Sequence, residues 1–127
     1  MTGGNAARFL KAMEILAPAD KTGLRIFKVR GKSTCVADMK PLQDGTVGVR
    51  SLVSISEGAS GRSAAMAAVC YFADIFDVTL RADGGVVLRD IDGFMAEHEW
   101  LADYDFVAPR GQSFMIRPPQ SIHRIAA

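Results

Sequence analysis

Thr46-Val-Gly-Val-Arg-Ser-Leu-Val-Ser-Ile-Ser56, then Glu57-Gly-Ala-Ser-Gly-Arg62, then Ser63-Ala-Ala-Met-Ala-Ala-Val-Cys-Tyr-Phe-Ala-Asp-Ile-Phe76, decides the fold class of this chain. The first segment is rich in β-branched residues, and Val47, Val49, Val53 and Ile55 share one parity, which predicts a strand with one packed face. Gly58 to Ser63 breaks it. From Ser63 the period changes, and Met66, Val69, Cys70, Ala73 and Phe76 form an apolar stripe at helical spacing. Asp77-Val-Thr-Leu-Arg-Ala82 follows as a second strand, most simply parallel to the first through a βαβ crossover.

Outward from this unit the signals are shorter. Asn5 is placed to cap a helix to about Ala17, with Phe9, Leu10, Met13, Leu16 and Ala17 on one face and Pro18 as its stop. Leu24 to Arg30 alternates with Leu24, Ile26 and Val29 inward, Gly31-Lys32 turns, and Ser33 to Met39 returns. On the far side, Asp83-Gly-Gly85 is a turn and Val86 to Leu88 an apolar patch. Asp92 opens a helix to about Ala102, its core side formed by Phe94, Met95, His98 and Leu101. Tyr104 to Ala108 and Ser113 to Arg117 read as two closing strands joined by the Pro109-Arg-Gly111 turn. The expected architecture is α/β, helices on a mixed sheet in the order α-β-β-β-α-β-α-β-β, in one domain over residues 1–118 with a tail at 119–127.

Composition limits the rest. The 127 residues suit one domain, and 49% hydrophobic and 23% charged residues supply a core. No run approaches the ~20 apolar residues of a membrane span, and the start lacks a secretory pattern, so a soluble, cytoplasmic protein without membrane partners is expected. Net charge is +1, which gives no footprint for nucleic acid. The charge is uneven: residues 1–62 carry ten Lys/Arg against five Asp/Glu, and residues 63–127 five against nine. A basic first half ending at a glycine-containing loop suits a phosphorylated ligand, and two differently solvated faces suit the same numbers. Cys35 and Cys70 have no partner at metal-ligand spacing, so buried free thiols and no metal are expected. His98 and His123 each stand alone and are assigned structural or solvated roles.

The chemistry, if any, belongs to the loop. A helix N-terminus offers unpartnered N–H groups and a positive dipole end, and glycines allow an anion to approach the backbone. Gly58, Ala59, Ser60, Gly61, Arg62 and Ser63 therefore suit a diphosphate, with Arg62 adding charge and Ser60 or Ser63 a hydroxyl. The same residues also suit a plain turn and cap. A Walker A loop needs four residues between its glycines where two stand here, and a G-x-S-x-G elbow fails at Arg62.

The segment resembles the GNAT family of N-acetyltransferases. Members read approximately R-G-x-G-x-G-S-A-L-M, then a helix ending A-D-x-x-G-V-T-L; this chain has Glu57-Gly-Ala-Ser-Gly-Arg-Ser-Ala-Ala-Met66 and Ala73-Asp-Ile-Phe-Asp-Val-Thr-Leu80. Trp100-Leu-Ala-Asp-Tyr-Asp-Phe106 is similar to the family's F-Y-x-x-x-G-F, and Ser113-Phe-Met-Ile-Arg-Pro118 to its closing M-x-R-x-P. The resemblance covers roughly residues 45–118. It implies acetyl-CoA or another acyl-CoA as cosubstrate, bound where two parallel strands splay. The backbone of Val53, Ser54 and Ile55 would hold the pantetheine arm, and Gly58 to Ser63 the pyrophosphate. An amine would attack the thioester directly, with a base and an acid assisting. Glu57 stands where a base is wanted. The family's acid tyrosine is matched by Leu101, which leaves Tyr104, near the same place, as the substitute. Asp105 replaces the glycine before Phe106. Two alternatives stand beside acyl transfer: a non-catalytic module that keeps the fold for binding or assembly, and a nucleotide- or phosphate-binding regulator. An exposed edge strand would let two copies pair.

Overall fold

The computed structural model describes residues 3–29, 31–55, 60–82, 91–112 and 114–120. Its elements run α1 (Gly3–Leu16), β1 (Leu24–Val29), β2 (Lys32–Pro41), β3 (Val47–Ser54), α2 (Ser60–Ile75), β4 (Leu80–Ala82), α3 (Ile91–Ala102) and β5 (Met115–Arg117). Five strands form one sheet in the order β1-β2-β3-β4-β5. All neighbours are antiparallel except β3 and β4, which are parallel through α2, as the change of period implied. Among the described residues the fold is thus mixed α and β with three helices and one strand fewer than expected. Tyr104 to Ala108 is not a strand. The turns closing α3 use Tyr104, Asp105 and Phe106, leaving the single bridge Val107 to Ile116.

One hydrophobic cluster joins the helices to one face of the sheet. Ala6, Phe9, Met13 and Ala17 enter it from the α1 segment, and Ala65, Met66, Val69, Cys70 and Ala73 from α2. Leu101 and Phe106 close it beside α2. Leu16, expected inward, lies at the helix end and is exposed. The expected core residues Val29, Phe94 and Met95, the 83–88 segment and His123 fall outside the described side chains. Gln120, in the expected tail, donates its N–H to Asp74 at 2.7 Å. No helix among the described residues is long and apolar enough to cross a membrane.

Two strands differ from the sequence expectation in which face they bury. In β1, Arg25 and Phe27 point to the helices, while Leu24 and Ile26 lie half-buried on the other face. Arg25 tolerates burial because its guanidinium donates to Glu14 and to the Ala17 carbonyl, both at 3.0 Å, closing the end of α1 with a cation. In β3 the register passes from Asp38↔Ser51 to Met39↔Val49, so Arg50 is an extra, bulged residue. The bulge reverses parity: Val47, Val49 and Leu52 are buried, and Val53 and Ile55 are exposed on the far face.

Candidate functional site

The described pairing of β3 with β4 runs from Val47↔Leu80 to Val49↔Ala82. From Arg50 to Ser54, β3 keeps β2 on one side. Along this stretch successive residues turn their N–H and C=O to opposite edges. Ile55 donates its N–H to Thr34 of β2 at 2.9 Å, whereas Leu52 turns its carbonyl to the other edge, where it accepts from Arg62. By that alternation Leu52 and Ser54 face away from β2, and Val53 and Ile55 face β2. Of the three residues expected to hold an extended cosubstrate arm, only Ser54 has its backbone free of β2.

α2 starts at Ser60, three residues before the predicted start. The helix absorbs Ser60, Gly61, Arg62 and Ser63, and the N–H groups of Ser60 to Arg62 lack an intrahelical acceptor. Glu57, Gly58 and Ala59 lie outside the described residues.

Arg62 turns inward rather than out from the helix end. Its Nε donates to Leu52 O at 2.8 Å. Its Nη2 pairs with the Glu97 carboxylate. The guanidinium carbon lies 3.7 Å from the centroid of the Trp100 ring. α3 supplies Glu97 and Trp100 from one face, three residues apart, which is why both reach the same cation. Beside them lies an open cavity of about 30 Å³, room for one or two waters, walled by Val49, Leu52, Met66, Ala82 and Leu101.

Tyr104 stands next to this group. Its ring meets Trp100 edge-on, with centroids 5.2 Å apart, and its hydroxyl donates to Ser63 O at 3.3 Å. The structure therefore brings Arg62, Ser63 and Tyr104 together. Glu97 and Trp100 were not singled out as site residues in the sequence. Their i, i+3 spacing was visible, but their partner is 35 or more residues away.

At the other end of α2, Asp74 and Arg117 meet. The guanidinium takes both carboxylate oxygens, at 2.8 and 3.1 Å, and donates its Nε to Tyr104 O at 2.7 Å. Burial is the largest single influence and opposes the Arg117 charge, but the Asp74 hydrogen bonds and the charges of Cys70, Asp74 and Asp105 together outweigh it and hold the guanidinium proton more tightly than usual. The Cys70 thiol is pushed up to about 11 by burial, and burial also raises Cys35. Both are buried free cysteines, inert as nucleophiles near neutral pH. Among the described residues no cluster of His, Cys, Asp and Glu is placed to hold a metal ion.

Compared with protein-family models, with curated proteins and with solved structures, the chain has no significant match.

Proposed function

We propose that this chain is an acyl-CoA-dependent N-acyltransferase that passes an acetyl group directly to an amine. The observation that carries the reading is the parallel β3–α2–β4 crossover, with the Leu52 carbonyl turned away from β2 towards the first turn of α2. In this reading the backbone of Leu52 and Ser54 bonds the amides of the pantetheine arm. The N–H groups of Ser60 to Arg62 and the positive end of α2 hold the diphosphate. The amine, freed of its proton, attacks the thioester carbonyl. The tetrahedral adduct collapses, the C–S bond breaks, and the departing CoA thiolate takes up a proton. Tyr104 is the candidate donor, because its hydroxyl already lies against the first turn of α2. Glu57 is the candidate base.

A second reading has its own observation. The Leu52 carbonyl that the cosubstrate would use is bonded by Arg62, which favours a non-catalytic module serving binding or assembly. Melting with acetyl-CoA, free CoA and ADP separates the two. At a hundred times its dissociation constant a ligand adds about 2.7 kcal/mol of stability. A rise with acetyl-CoA and CoA, followed by acetylation of an amine that weakens in Tyr104→Phe, is the expected result. No rise with acetyl-CoA sinks the enzyme reading, and an equal rise with ADP alone points to a nucleotide-binding regulator.

A further inference from the structure

The groups around Arg62 are what a protein uses to recognise a cation. A carboxylate from Glu97, the face of Trp100 and the Leu52 carbonyl converge on one guanidinium, and an open cavity adjoins them. Glu97 and Trp100 come from α3 and the guest from α2. We propose that Glu97 and Trp100 form a binding site for a cationic group, ammonium or guanidinium, of the acceptor substrate, and that Arg62 is its internal occupant.

Three features support an exchangeable guest. Arg62 is the third residue of α2, so its side chain begins at the end of the helix where an anion is favoured. A diphosphate there offers its guanidinium a second, doubly charged partner. The Arg62 and Glu97 side chains keep 24% and 20% of their exposure, so solvent and small cations reach the pair. Trp100 has support other than Arg62, since its ring is braced by Tyr104 and Leu101 of the same helix is buried in the core. Naming the cation as the acceptor rests on the proposed acyl transfer; the cation site itself does not.

Methylguanidinium is the probe, and Trp100, the one tryptophan in the chain, is the reporter. In Arg62→Ala the site is open, and millimolar methylguanidinium should quench Trp100 saturably while sodium chloride at equal strength does not. At ten times its dissociation constant it should raise Tm by about 5 °C. Arg62→Ala combined with Glu97→Gln should show neither response. Unchanged emission and Tm in the single variant, or equal responses in both variants, would overturn the proposal. If Arg62→Ala does not fold alone, methylguanidinium must restore its native emission and cooperative melt, and failure to do so also overturns it. In the wild type, CoA should strengthen methylguanidinium binding at least tenfold, and CoA that binds without that effect refutes the exchange. If the cation site responds in Arg62→Ala but acetyl-CoA binds nowhere, the site stands and the acyltransferase reading falls.

Discussion

Each end of α2 carries an arginine–carboxylate pair to another element, and the two pairs are built differently. At the C-terminal end, Arg117 and Asp74 retain 4% and 9% exposure, the guanidinium is bidentate, and Asp74 also accepts the Gln120 N–H. Nearly every polar atom there is committed. At the N-terminal end Arg62 and Glu97 keep 24% and 20% exposure and border a cavity, and Arg62 leans on an aromatic face. A closed pair welds β5 to α2. An open pair holds α2 to α3 through contacts that another cation can reproduce. The difference separates a structural clamp from a binding site more clearly than either pair does alone.

Breaking the closed pair should have the largest effect. Arg117→Ala leaves the Asp74 carboxylate buried without its counter-ion, a loss of about 3–5 kcal/mol for such sites. Urea unfolding with an unchanged slope should show it. A loss under about 1 kcal/mol would mean the pair is solvated and the contrast false.

The thiols probe the same contrast by pH. Cys70 lies beside Arg117 and is pushed from 9.0 to about 11, mainly by burial. A folded-state value raised in this way gives stability that is complete below pH 9 and is lost as pH rises through about 11. The shift corresponds to about 2–3 kcal/mol between pH 8 and the end of that window. Unfolding curves across it should be flatter in Cys70→Ala than in the parent chain. An identical slope in both would show that the thiolate is not excluded from the closed end. Cys35 is raised by burial while the Arg62 charge opposes the rise. Arg62→Ala should therefore move the Cys35 thiol further up, read as slower alkylation at alkaline pH.

The open pair comes next in size. Arg62→Ala removes the guanidinium from a carboxylate that water already reaches, so about 1–2 kcal/mol is expected, below the Arg117 loss. A loss matching that of Arg117→Ala would make both pairs clamps and weaken the case for exchange.

The sequence carried the frame of this comparison but not its content. The β3–α2–β4 crossover was legible because period 2 gives way to period 3.6 at the loop. The segments resembling A-D-x-x-G and M-x-R-x-P contain Asp74 and Arg117, and the structure joins those two residues directly. The faces of β1 and β3 were not legible, because both parities of β1 are apolar and one bulged residue, Arg50, reverses the rest of β3. Glu97 and Trp100 give no signal in the sequence, because a cation site assembled across separate elements leaves no local pattern. The position of Arg62 suits a phosphate; nothing local says that its side chain folds back over Trp100.

The smallest predicted effect concerns how α2 and α3 end, which they do alike. Val78 N–H bonds Ala73 O at 2.8 Å, and Phe106 N–H bonds Leu101 O at 3.3 Å, each across a residue in the left-handed region. Those residues are Asp77, with φ 56°, and Asp105, with φ 70°. In both resembling motifs the family has glycine at that place, and glycine takes this conformation without a Cβ penalty. Asp77→Gly should therefore stabilise the chain by about 0.5 kcal/mol, the relief of strain less the added freedom of the unfolded chain. Asp105→Gly should gain less, because Asp105 also lends its negative charge to Arg117 in the closed pair. Parallel urea titrations of the two variants test this order. A larger gain at 105 would mean that its carboxylate repels more than it supports, and that the closed pair is complete with Asp74 alone.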